Sequence, residues 1–209
     1  MKFIKTTMKL KLVGITTLLV CIGFAIGKGI LTEKIVASEK IIASTTVAVT
    51  PGKVYEILEV GTANKGKITN FFFNDDNGKK HSLLDITQGK YTFLNFWGTW
   101  CPPCRAEIPA IIELQTELKS EGLIVIGIAM ERPNVNAMEV VSNYAKNRNI
   151  NYINFVATRE IIGKISESYG GISAIPTTFL ANRAGEISEK IDGARTKAQF
   201  KGYLDKLMK

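Results

Sequence analysis

From Ile68 onward the apolar residues fall into two rhythms, short continuous runs and recurrences every three or four positions. Residues 68–73 form a β-rich run that meets Asp75-Asp76-Asn77-Gly78, a strong turn signal, and residues 79–84 read as the hairpin partner. Residues 91–96 form a second apolar run, which ends at Trp97-Gly98-Thr99-Trp100. Beyond it Ile108, Ile111, Leu114 and Leu118 share one helical face, with Glu113, Glu117 and Lys119 off it, and Gly122 stops the helix. Residues 123–130 read as a central strand covered on both faces. Val135, Met138 and Val141 repeat helically, residues 152–156 read as a strand and residues 159–169 as a helix before Gly170-Gly171. Residues 177–181 and 186–191 form a hairpin across Asn182-Arg183-Ala184-Gly185. A last helix starts at Thr196 with a Thr-x-x-Gln capping box and buries Phe200, Tyr203, Leu204 and Leu207. Alternating helices and strands predict a mixed α/β domain around a central sheet.

The N-terminus has a different pattern. Lys2, Lys5, Lys9 and Lys11 precede an uncharged stretch over 12–27 that Lys28 closes. With snorkelling by Lys28 and the apolar Ile30 and Leu31, it approaches the roughly 20 residues that a bilayer requires. Residues 1–28 are read as a transmembrane signal anchor, with the N-terminus in the cytoplasm and the remainder outside, as the lysine asymmetry directs. A cleaved signal peptide is the alternative, with Val36-Ala37-Ser38 near the cut, and a lipoprotein fits less well because Val20 precedes Cys21. Residues 29–62, which lack a sustained period, are read as a tether with some strand structure, and residues 63–209 as the folded domain.

Composition changes little in this picture. The chain has 209 residues, 45% hydrophobic and 22% charged, which suits one buried domain with an extension. Its formal charge of +8 derives largely from the N-terminus, because residues 1–38 hold six Lys and one Glu, leaving 21 basic against 18 acidic residues beyond. No block of Lys and Arg interleaved with aromatics follows, so nucleic acid is set aside as a partner. No motif calls for a cofactor.

Of three cysteines, Cys21 lies in the apolar run as a small hydrophobe, and Cys101 and Cys104 stand in the C-x-x-C spacing of redox or zinc chemistry. Tetrahedral zinc would want more ligands, and beyond the export segment only His81 is left, expected to face solvent after the turn, so no metal is assigned. Cys101 sits where a strand hands over to a helix, and the free N–H groups and positive end of the helix dipole there stabilise a thiolate. Cys104, one turn on, faces the same side, so Cys101 is the attacking sulfur and Cys104 the resolving one. Pro102 and Pro103 suit a helix start with their fixed φ, and Pro109 should bend the helix.

The segment Phe96-Trp97-Gly98-Thr99-Trp100-Cys101-Pro102-Pro103-Cys104-Arg105 resembles the active site of the thioredoxin superfamily, and Gly171-Ile172-Ser173-Ala174-Ile175-Pro176-Thr177-Thr178-Phe179-Leu180 is similar to its Ile-Pro-Thr loop. The resemblance covers roughly residues 66–208 and implies a thioredoxin-like fold, a central mixed sheet flanked by helices. It implies a cis peptide before Pro176, with Ile175 and Pro176 pairing with a substrate strand beside the dithiol, and Trp100, Pro102 and Pro103 forming the rest of the substrate surface. The export segment, Cys-Pro-Pro-Cys and an insertion after Met130 look most like the TlpA/ResA group and its cytochrome c maturation relatives. Where general thioredoxins carry a buried, proton-relaying Asp, this chain has Asn95, which cannot ionise. Glu107 matches an acidic residue that the group carries near its dithiol, and by resemblance it takes or returns the Cys104 proton.

The implied function is thiol-disulfide exchange that reduces exported proteins, among them an apocytochrome c cysteine pair, with a membrane protein as electron donor. The alternatives are a disulfide-forming oxidant using the same dithiol and a metal-binding module using the same thiols.

Overall fold

The computed structural model describes residues 47–209. The anchor read over 1–28, Cys21 and the first part of the tether lie outside the described residues. Among the described residues no helix is long and apolar enough to cross a membrane.

Eight strands form one mixed sheet: β1 (Val54–Val60), β2 (Phe71–Asn74), β3 (Lys80–Ser82), β4 (Tyr91–Trp97), β5 (Leu123–Ala129), β6 (Ile153–Val156), β7 (Thr177–Ala181) and β8 (Ile187–Asp192), in the spatial order β3-β2-β1-β6-β5-β4-β7-β8. β1, β6, β5 and β4 run parallel; the two hairpins attach antiparallel, β2–β3 beyond β1 and β7–β8 beyond β4. Five helices cover the sheet: α1 (Leu83–Thr87), α2 (Pro102–Leu118), α3 (Ala137–Asn147), α4 (Arg159–Ser168) and α5 (Lys197–Leu207).

Side chains of successive strand residues point to opposite faces, and β4 divides accordingly. Phe93 and Trp97 enter the core beneath α2, α3 and α5 with Ile108, Ile111, Val141 and Phe200; Leu94 and Phe96 enter the opposite core with Ile86 of α1 and Ile165 of α4. Asn95 therefore faces α2 from the middle of the sheet. Each fully buried Leu, Ile or Phe stabilises the fold by about 1.5–3 kcal/mol.

Three sequence expectations change. The tether ends before 54, because residues 54–60 form β1, paired with β6 on one side and β2 on the other. The partner of the first hairpin is short: the Ser82 hydroxyl accepts from the Asp85 N–H while the Asp85 carboxylate accepts from the Ser82 N–H, and this capping box turns residues 83–87 into α1. His81 is buried, with Nε2 3.1 Å from Asp75 Oδ2. Asp75 is itself buried, accepting N–H bonds from Ala48, Asn77 and Lys79, so the residue read as a turn signal also holds the histidine inside. Pro109 lies inside α2, which runs to Leu118, where a short 3-10 turn (Lys119–Glu121) leads to Gly122 at φ 96°.

Candidate active site

Cys101 is the N-cap of α2: its Sγ accepts from the Cys104 N–H at 3.2 Å and its carbonyl from the Arg105 N–H at 3.1 Å. Pro102 and Pro103 occupy the first two helical positions, where no N–H is needed, and both are exposed. Cys101 and Cys104 are disulfide-bonded, with Cα atoms 5.3 Å apart, and both are buried.

The approach to Cys101 is tightly packed. A Cβ on Gly98 would lie 2.8 Å from Trp100 Nε1 and 3.2 Å from the Met130 carbonyl oxygen, so glycine lets this loop fold against the end of β5. Trp100 is 40% exposed, its Nε1–H donating to the Met130 carbonyl at 2.9 Å and its ring lying 4.9 Å from the Arg132 guanidinium. Trp97 is fully buried, its indole N–H donating to Asn154 Oδ1 at 3.1 Å. The Ile175–Pro176 peptide is cis, Pro176 is buried, and the Ile175 carbonyl oxygen lies 3.7 Å from Cys101 Sγ. The two segments that carry the resemblance, 75 residues apart in sequence, thus meet at the sulfur. Beside them opens a groove of about 630 Å³ lined by Trp100, Met130, Arg132, Ile162, Ile172 and Ile175.

Glu107 lies three residues after Cys104 on the same buried face of α2, with 2% of its surface exposed. Its Oε1 accepts from Asn95 Nδ2 at 2.9 Å and its Oε2 from the Arg195 main-chain N–H at 3.2 Å. Burial pushes its carboxyl up to about 7, and the two N–H bonds work in the opposite direction. Tyr152, also buried, is raised by desolvation and then by the neighbouring Glu107 charge. Every residue named from the sequence for this site lies around the disulfide or one helical turn beneath it. The sequence reasoning missed Glu131, Arg195 and Thr178. Thr178 Oγ1 accepts from Asn95 at 3.0 Å, and Glu131 holds the Thr99 main chain. Among the described residues no group of three or more His, Cys, Asp and Glu could hold a metal ion.

A cysteine pair at the start of a helix that follows a central strand, closed against a cis X-Pro peptide, defines a thioredoxin-like redox domain. The AhpC/TSA family model matches residues 65–190, and the chain belongs to that family. Its relatives include the thiol-disulfide oxidoreductase ResA of Bacillus anthracis, 36% identical over 138 residues that cover 66% of this chain and 75% of that protein. ResA of Bacillus subtilis (strain 168) is 33% identical over 136 residues, 65% of this chain and 71% of that one. Among solved structures, a thioredoxin family thiol:disulfide interchange protein from Chlorobium tepidum TLS superposes with a TM-score of 0.59 at 34% identity, covering 71% of this chain and all of that one. StoA from Bacillus subtilis gives 0.52 at 26%, covering 66% and 98%. The protein is a thiol-disulfide oxidoreductase.

Proposed function

We propose that the protein is a membrane-tethered reductant of exported disulfides, working through Cys101 and Cys104 on the outer face of the cytoplasmic membrane. The observation that carries the reading is the carboxyl of Glu107, buried one turn below Cys104 between Asn95 and the Arg195 main chain, where burial pushes it up to about 7. In the reduced enzyme the Cys101 thiolate, favoured by the helix start, attacks one sulfur of a substrate disulfide. A mixed disulfide forms and the first substrate sulfur leaves as a thiolate. Cys104 then gives its proton to the Glu107 carboxylate and attacks Cys101 Sγ, which expels the second substrate sulfur. Two electrons pass from the enzyme to the substrate, whose two leaving thiolates take one proton from Glu107 and one from water, so that Glu107 returns to its carboxylate and the enzyme dithiol becomes the disulfide seen here.

Trp100, Pro102 and Pro103 border the attacked sulfur, and the backbone of Ile175 and Pro176 pairs with an extended substrate segment beside it. The lysines ahead of the apolar run at 12–27 support an outward-facing domain anchored by residues 1–28. The relatives named ResA, together with the resemblance to cytochrome c maturation proteins, favour an apocytochrome c cysteine pair as substrate, with a membrane protein restoring the dithiol.

Equilibrating the full chain in glutathione and dithiothreitol buffers tests the direction of electron flow. A reductant should have a potential near that of thioredoxin, about −270 mV; a value near that of a strong oxidant, about −120 mV, would overturn the assignment.

A further inference from the structure

The carboxylate of Glu107 is met by N–H groups. Asn95 Nδ2 donates to Oε1 at 2.9 Å, and the Arg195 main-chain N–H donates to Oε2 at 3.2 Å. The same Asn95 nitrogen donates to Thr178 Oγ1 at 3.0 Å, so both of its hydrogens are engaged. The Asn95 carbonyl oxygen, in contrast, is buried without a hydrogen-bond partner. Buried polar atoms are seldom left unpaired, and a side-chain amide can present either end. Here it presents the end that serves Glu107 and leaves its own oxygen unsatisfied.

We propose that Asn95, aligned by Thr178, is the positioning residue that holds Glu107 as a carboxylate inside the core. The inference deepens the proton-exchange reading given above and rests on it for its catalytic meaning. Burial alone disfavours a charge in this position, and an N–H donor within hydrogen-bond distance favours the charged form. An aspartate at 95 would instead set a second carboxylate against the first, and like charges at that distance cannot both ionise readily. The absence of an ionisable group at 95 is what allows one at 107. The titratable and charged groups on the surrounding elements are Tyr152 just ahead of β6, Tyr144 on α3, Arg195 ahead of α5, and Cys104 on α2 itself.

The oxidised full-length protein is the form to test, because neither sulfur carries a proton in it. The Glu107 carboxyl carbon, assigned by its loss in Glu107→Gln, is titrated by NMR in the parent chain, in Asn95→Leu and in Thr178→Val. Asn95→Leu removes the donor, and Thr178→Val removes the acceptor that aligns it while keeping its shape. The Glu107 midpoint should move upward by about one pH unit in Asn95→Leu. It should move in the same direction, by less, in Thr178→Val, which keeps the question answerable if the leucine variant does not fold. A midpoint unmoved in the variants that fold overturns the proposal. A moved midpoint together with a thiol-exchange pH profile indifferent to Glu107→Gln would support the positioning role and sink the proton-exchange reading alone.

Discussion

Both oxygens of Glu131 are held by Thr99: the Thr99 main-chain N–H donates to Oε1 at 2.7 Å and its hydroxyl to Oε2 at 2.9 Å. With the Met130 carbonyl accepting from the Trp100 indole and Arg132 against its ring, three consecutive residues after β5 hold the two residues that precede Cys101. The attacking sulfur is thereby positioned from the end of the neighbouring strand as well as by its own helix.

Glu131→Ala removes two charge-assisted hydrogen bonds and leaves the Thr99 N–H to water. Because the site is only half-buried, the expected loss of stability is modest, about 1–2 kcal/mol in urea unfolding. Loosening the loop should cost more in rate, with reduction of a model disulfide slowed by about tenfold. Full activity in a variant that unfolds like the parent would show that the clamp positions nothing.

The Glu107 carboxyl also predicts how stability depends on pH. Its folded pKa of about 7 lies above the unfolded value near 4.5, so the folded state keeps its proton to higher pH. The stabilisation is complete below the unfolded value and is lost as pH rises through 7. Relative to Glu107→Gln, the oxidised parent should therefore lose up to about 3 kcal/mol between pH 4.5 and 8. Parallel stability curves for the two proteins across that range would contradict the burial of an ionisable carboxyl here.

Gly127 faces Trp97 and Asn154 across neighbouring strands. A Cβ there would fall 2.1 Å from Asn154 Oδ1 and 2.9 Å from Trp97 Nε1, breaking the hydrogen bond that satisfies the buried indole behind the active-site loop. Gly127→Ala should destabilise the domain by roughly 2 kcal/mol or more. A calorimetric scan checks this; an unchanged Tm would mean that Asn154 moves aside freely.

What the sequence displayed and what it concealed separate along physical lines. The Cys101 and Pro176 segments were legible because their chemistry depends on side chains in fixed local spacing. The last helix was legible because Thr196 and Gln199 cap it within four residues. β1 was legible only as some strand character in the tether: Glu56, Leu58 and Glu59 are exposed, and its place in the sheet comes from pairing with β6 about a hundred residues away. His81 was read as exposed because nothing local signals burial; Asp75 and the packing of Phe73 decide it. At the site, Arg195 contributes a main-chain N–H, which any residue but proline supplies, so residue type gave no clue. Glu131 was one of 19 acidic residues until the end of β5 brought it to Thr99.

The most direct test of the central claim, attack by Cys101 and resolution by Cys104, is mass spectrometry of full-length Cys104→Ser incubated with a disulfide-bonded peptide substrate. A persistent one-to-one mixed disulfide mapping to Cys101 is expected, absent from Cys101→Ser and transient in the parent chain. An adduct that forms equally well on Cys101→Ser, or none on Cys104→Ser under conditions where the parent reduces the peptide, would contradict it.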